Sequence, residues 1–204
     1  MIDYIRDPKA IYARSFAMIR AEADLAHLPE NAHGIARRII HACGMPEIAE
    51  DLRITAGFHD AAKGAISVQK PIFVDAEMVR HGIIGKDMNV ICTLNDPRAR
   101  ALGVAKGTTR SAAAVELWAP QLGGALVVIG NAPTALFALL ELIDRGVPRP
   151  AAIAAFPVGF VGAAESKAEL VANPRGIPYA TLLGRRGGSA MASAAINALT
   201  RGEE

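Results

Sequence analysis

The 204-residue sequence predicts an α/β fold, a three-layer sandwich in which a five-stranded, mostly parallel sheet is flanked by helices. Three observations predict it. Five short apolar runs lack the polar alternation of a one-sided strand, as expected for strands covered on both faces. Helical patterns separate these runs, and strands alternating with helices argue for parallel crossovers. The apolar half of the chain is mostly alanine, isoleucine, leucine and valine, with aromatics at only 5%, a composition suited to close packing of helices on a sheet.

In chain order, helices are expected at 8–24, 31–43 and 57–68, the second capped by Asn31 and stopped by Gly44 with Pro46 beyond it. The run PIFVDA (71–76) is the first strand, followed by a short helix at 76–82 and the strand VICTL (90–94). A helix over 110–122 leads to the strand ALVVIG (125–130), and Pro133 opens the helix 132–145 at the position where proline is tolerated best. The strand AAIAAFPV (151–158), helix 163–173, strand PYATLL (178–183) and an alanine-rich helix 189–200 complete the chain. No linker, repeat or composition break appears, so 1–204 reads as a single domain.

Several function classes are disfavoured. The net charge of +2 gives no field for nucleic acid or a membrane surface. The segment 122–140 is free of charge and long enough to span a bilayer, but Gly130, Asn131, Pro133 and Thr134 interrupt it as a strand-to-helix turn would. Cys43 and Cys92 stand far apart, which disfavours a disulfide framework or thiolate zinc site and suits reduced thiols in the cytoplasm. The N-terminal stretch is charged where a signal peptide needs an apolar core. Neither a phosphate-binding Gly-x-x-x-x-Gly-Lys-Ser/Thr loop nor a Gly-x-Gly-x-x-Gly fingerprint follows a strand.

Polar chemistry gathers at helix starts, three of them where a strand runs into a helix. These turns are Lys106-Gly107-Thr108-Thr109-Arg110-Ser111, Gly130-Asn131-Ala132-Pro133-Thr134, the stretch Gly159 to Lys167, and Gly184-Arg185-Arg186-Gly187-Gly188-Ser189. Each places backbone N–H groups at a helix start, where anions bind, and Arg110, Lys167, Arg185 and Arg186 add full charges. Thr109, Arg110, Ser111, Lys167, Gly187, Gly188 and Ser189 are therefore candidate contacts for a large ligand with several negative groups. Taken singly, Ser111 and Ser189 read better as ordinary helix caps and the glycines as tight turns; several such turns on one sheet edge shift the balance toward a ligand.

One histidine stands out. On a helix over 31–43, at about 100° per residue, Ile35, Ala36, Ile39, Ile40 and Cys43 share the apolar face. His41 falls nearly opposite, near Arg37 and Arg38, and so faces solvent, a ligand or a partner chain. Three roles are open: simple exposure, metal ligation, and acid–base work near neutral pH. No other histidine shares its face at ligand spacing. His59-Asp60 resembles the pair of metal phosphohydrolases, but those proteins are all-helical and this chain is expected to hold five strands. Two fixed positive neighbours disfavour an imidazolium in the free protein, and a polyanionic ligand would favour it.

Read together, DYIRDPKAIYARSFAMIRAEADL, IIHACGMPE, DAEMVRHGI, VICTLNDPR, TRSAAAVELW, IGNAPTALFALLE, PVGFVGAAESK and RGGSAMASAAINAL resemble the precorrin-8X methylmutase family over essentially the whole chain. The resemblance implies migration of a methyl group from C-11 to C-12 of a corrinoid ring in cobalamin biosynthesis, converting precorrin-8X to hydrogenobyrinic acid or doing the same on a cobalt-containing substrate. It also implies a homodimer that needs no cofactor, with neighbouring enzymes of the pathway as candidate partners; no metal is expected, because the histidines fall at no ligand spacing. His41 corresponds to the family's acid/base, Ser15 to a substrate contact, and Arg110 to a candidate partner of substrate carboxylates. Cys43, on the apolar face, reads as packing. Two other readings stay open on the residues alone: a tetrapyrrole carrier that has no need of His41, and a phosphate-ester or nucleotide enzyme that lacks the usual loops.

Overall fold

The computed structural model describes residues 2–85 and 88–201; Met1, Lys86, Asp87 and residues 202–204, within the span expected to form one domain, lie outside the described residues. The described elements are α1 (Pro8–Glu22), α2 (His33–Cys43), β1 (Leu52–Ile54), α3 (Phe58–Ser67), β2 (Ile72–Val74), α4 (Glu77–Gly82), β3 (Val90–Cys92), α5 (Pro97–Lys106) and α6 (Arg110–Glu116). They continue with β4 (Leu126–Ile129), α7 (Pro133–Asp144), β5 (Ala152–Ala155), α8 (Ala163–Ala172), β6 (Tyr179–Leu182) and α9 (Ser189–Arg201).

The sheet has six strands in the order β1-β6-β5-β4-β2-β3, where five were expected. All neighbours run parallel except β1, which pairs antiparallel with β6 at the edge. The extra strand, Leu-Arg-Ile, is three residues long with a charged centre, so it forms no apolar run to read. Successive strand residues face opposite layers. Ile72, Val74, Leu126, Val128, Ala152 and Ala154 pack with α2, α3 and α9. Phe73, Val127, Ile129, Ile153, Ala155 and Tyr179 pack with α7 and α8. The helix α1 lies outermost, across α2, and α5 sits on α6.

Three local expectations shift for identifiable reasons. The helix 31–43 is not capped by Asn31, whose side chain donates instead to the Ala56 carbonyl at 3.2 Å. A 3₁₀ turn at Glu30–Ala32 precedes α2. The helix expected over 110–122 ends at Glu116, with a separate 3₁₀ turn at Ala119–Gln121 around Pro120. Helix α5 was not expected, because most of its length is exposed and no apolar stripe marks it, although Asp96 and Pro97 supply an ordinary cap and first turn. The uncharged stretch 122–140 divides into β4 and the start of α7, and no helix among the described residues is long and apolar enough to cross a membrane.

From β2 the chain passes outward to β3 and then returns to the other side of β2 as β4. That reversal opens a crevice at the carboxyl ends of β2 and β4, the usual ligand position in such sheets. Here the protein fills it. Asp75, directly after β2 and 2% exposed, accepts N–H bonds from Gly130 (2.8 Å), Asn131 (3.0 Å) and Ala132 (2.7 Å) at the start of α7. The expected anion site in the turn 130–134 is thus occupied by an internal carboxylate. Burial pushes the pKa of Asp75 up and the three backbone donors oppose that rise. Gly130 is obligatory, since a Cβ there would lie 2.7 Å from Val79 Cγ2 and 2.9 Å from the Ser189 Cα.

Removing the Asp75 carboxylate strands three backbone donors, the buried one on Gly130 at roughly 1–3 kcal/mol and the part-buried ones on Asn131 and Ala132 at less, since water can reach them. Asp75→Ala is expected to lose roughly 1–3 kcal/mol of stability or somewhat more on this basis, and Asp75→Asn, which keeps one acceptor oxygen, to lose less. Urea denaturation midpoints of the two variants check both the size and the order.

Candidate active site

Helix α2 buries Ile35, Ala36, Ile39 and Ile40 and turns His41 outward in its last turn. It stops at Gly44, whose φ of 70° is left-handed and whose N–H donates to the Ile40 carbonyl at 2.8 Å. Crossing α2, helix α1 presents Tyr12, Ser15 and Phe16, which share one face by their spacing. Ser15 Oγ lies 3.0 Å from His41 Nδ1. The Phe16 ring stacks on the imidazole at 5.1 Å and 26°, and the Tyr12 ring lies 5.4 Å away, tilted. Arg38, one turn before His41, covers both aromatic rings at 5.3 and 5.6 Å and donates to the Tyr12 hydroxyl. The cleft is completed by Met18, Glu22, Gly44 and Pro46.

This shell sets the proton chemistry of the imidazole. Partial burial lowers the His41 pKa below the ordinary value of 6.5, and the Arg38 charge lowers it further. The free protein therefore holds a largely neutral ring at neutral pH. Ser15 can accept from Nδ1–H in both the charged and the neutral ring, which leaves Nε2 as the nitrogen that gains and loses the proton. Because the unfolded chain binds this proton more readily, His41 withdraws stability as pH falls from 6.5 toward the depressed folded value. Cys43 behaves as packing: half-buried, it donates to the Ile40 carbonyl at 3.4 Å, and burial pushes its thiol up.

The turn 184–188 borders the same side of the sheet. Arg186 reaches Glu47 at 3.4 Å and Asp51 at 3.9 Å, both in the segment that follows the histidine helix. The turn is stitched to the one after β5: Gly159 N–H donates to the Arg185 carbonyl and Gly188 N–H to the Phe156 carbonyl, at 3.2 and 2.8 Å. Gly187 lies flush against that turn, where a Cβ would sit 2.4 Å from the Phe156 oxygen. Ser189 opens α9 and its carbonyl accepts from Ser193 Oγ at 2.8 Å. Lys167 departs from expectation. It is fully buried, its Nζ donates to the Arg186 carbonyl at 2.5 Å, and burial lowers its pKa to about 8 with Asp51 opposing. It braces the arginine turn from beneath rather than offering a surface charge.

Thr109, Arg110 and Ser111 lie elsewhere. Thr109 caps α6, accepting from the Ala112 N–H at 3.1 Å, and its hydroxyl meets that of Thr134 at 2.8 Å. Ser111 is inside the helix and is not its cap. Arg110 is exposed and lines a separate cleft with Arg100, Val104 and Thr108. Helix α6 belongs to the layer opposite α2, so one chain does not gather Arg110 and His41 into one pocket. Among the described residues no group of three or more His, Cys, Asp or Glu side chains could hold a metal ion, and His59 pairs only with Asp60, at 2.7 Å. Tyr12 and Phe16 were missed from the sequence; their spacing with Ser15 on α1 was the available signal.

A three-layer α/β fold with a serine-held imidazole in an open cleft and arginines along the same sheet edge is the scaffold of an enzyme. The chain belongs to the precorrin-8X methylmutase family, whose profile matches residues 10–201. A precorrin-8X methylmutase of Pseudomonas aeruginosa is 54% identical over the whole of both chains. One from Sinorhizobium is 53% identical over 98% of this chain and 97% of its own. The crystal structure of a precorrin-8X methylmutase from Thermus thermophilus superposes with a TM-score of 0.84 at 36% identity, covering 95% of each chain.

An NMR titration of the His41 ring is expected to show a midpoint below 6.5, and Arg38→Gln to move it upward by removing the adjacent charge. A midpoint unchanged by that substitution would leave burial as the whole cause.

Proposed function

We propose that this chain, acting as a single domain over 1–204, converts precorrin-8X to hydrogenobyrinic acid by moving a methyl group from C-11 to C-12, with His41 as acid and base. The observation that carries the role of His41 is the Ser15–His41 contact at 3.0 Å in an open cleft, which engages one ring nitrogen and leaves the other for substrate. The reaction is an isomerisation, so a proton lent to the macrocycle must be returned. One imidazole that first donates and then accepts satisfies this balance. The protein's larger task is to hold the macrocycle in a reactive pose. Acetate and propionate arms make the substrate a polyanion, which suits Arg185, Arg186 and the N–H groups at Gly187, Gly188 and Ser189. Ser15 is assigned to orienting His41 and to substrate contact together.

The metal-free substrate is favoured because the relatives from Pseudomonas aeruginosa and Sinorhizobium, at 54% and 53% identity, carry its name. The enzyme is assigned to the cytoplasm and to a homodimer. Ile2, Tyr4, Ile11 and Met18 are exposed apolar side chains along and before α1, beside the cleft, and a second copy would cover them. The dimer also offers a route for Thr109, Arg110 and Ser111 to reach substrate, since within one chain they stand apart from His41.

Following the product's absorption spectrum, His41→Ala is expected to lower turnover of metal-free precorrin-8X by roughly 10²–10⁴-fold, the usual scale of general acid–base catalysis, while product binding persists. Undiminished turnover would make positioning alone the catalyst. Bound product should raise the His41 pKa, since carboxylates offset Arg38; an NMR titration of the complex that shows an unchanged or lowered value would sink that part of the mechanism.

A further inference from the structure

Between the two halves of the sheet edge, the loop after β5 carries the most exposed large apolar pair near the site: Phe160 is 85% exposed and Val161 89%. Exposure on a floppy tip would mean little, but this loop is tied down. The Val158 N–H donates to the Asn131 carbonyl at 3.4 Å and the Gly159 N–H to the Arg185 carbonyl at 3.2 Å. Gly162, with φ of 80°, closes the loop against Pro133, where even a Cβ would approach within 3.2 Å. The ring is thus held out into water by a braced loop.

Beside the ring stands a guanidinium. Arg185 lies 5.5 Å from the Phe160 centroid. Its neighbour Arg186 is already engaged by Glu47 and Asp51, whereas no carboxylate among the described residues lies within ion-pair distance of Arg185. A flat apolar surface and an uncommitted planar cation, side by side, suit a ligand with a conjugated face and acidic groups around its rim. The backbone bond between Gly159 and Arg185 fixes the two in one register.

Resting on the function proposed above, we infer that Phe160 and Arg185 form a recognition pair for the corrinoid substrate, the phenyl ring packing on the macrocycle and the guanidinium taking one of its peripheral carboxylates. Neither touches His41, so the pair governs binding and pose, not proton transfer. Val161 extends the apolar contact along the same loop.

The test uses the full chain and three variants, Phe160→Ala, Arg185→Gln and Arg185→Lys, each expected to melt as wild type because both side chains are exposed. Absorption titration with hydrogenobyrinic acid should show Kd about tenfold or more weaker for Phe160→Ala, the scale of losing one buried phenyl contact, with KM rising in parallel and kcat little changed. Arg185→Gln should weaken binding and flatten its salt dependence, and Arg185→Lys should restore only part, because the ammonium lacks the planar fork. Unchanged Kd and KM in Phe160→Ala, with wild type turning over normally, would overturn the pair alone. A change in sedimentation coefficient on Phe160→Ala would also overturn it, by assigning the loop to a contact between copies of the chain. Failure of wild type to bind or convert the corrinoid would instead overturn the parent function and this pair with it.

Discussion

The geometry of the whole carboxyl edge depends on one buried carboxylate. Asp75 ends β2 and takes three successive N–H groups from the chain entering α7. With these bonds it joins the strands on either side of the topological reversal and satisfies donors that α7 could not pair within itself. The helix start supplies partial positive charge, so the anion is stabilised there even though burial opposes it. Val79 from α4 and Ser189 at the head of α9 pack on Gly130, so two further elements take their positions from the same turn.

Filling the crevice from within moves the chemistry to its flanks. In many open α/β sheets the reversal point is where the ligand sits. Here the exposed groups lie to either side: the histidine cleft and the arginine turn toward β6, and the Thr109–Arg110 turn on the opposite layer. A ligand large enough to engage several of these groups suits such a perimeter better than a small one. The inner turns are braced accordingly, by Lys167 on the Arg186 carbonyl and by the paired amide bonds between the loops after β5 and β6. Each brace uses a buried or backbone donor and leaves the exposed side chains for other work.

Around His41 the design is electrostatic as much as steric. Phe16 shelters one face of the ring, and Arg38, held across two aromatic rings, keeps positive charge close to the imidazole. The ring thus resists protonation alone and is poised to accept it beside an anion. Such a device ties the protonation state of the imidazole to the charge placed beside it.

Much of this was determined by sequence. The central strands could be read because double burial demands continuous apolar runs, and the outward aspect of His41 because a helix with Ile35, Ile39 and Ile40 on one side leaves residue 41 on the other. Family membership was equally legible, since eight distinctive stretches match at once. Tertiary structure decided the rest. The strand Leu52–Ile54 exists only because β6 offers it an edge, and no local pattern encodes that partner. Asn31 could have capped a helix by accepting with its side-chain oxygen, but its amide donates to the distant Ala56 carbonyl instead. Lys167 looks like a surface cation in a glycine-rich stretch until folding places it under a carbonyl that lies 19 residues away in the chain. Asp75 and residues 130–132 are separated by 55 to 57 positions, and nothing in either segment names the other. Local sequence determines periodicity and capping through short-range sterics, whereas the pairing of lone polar groups depends on which buried donors and acceptors the assembled fold leaves facing one another.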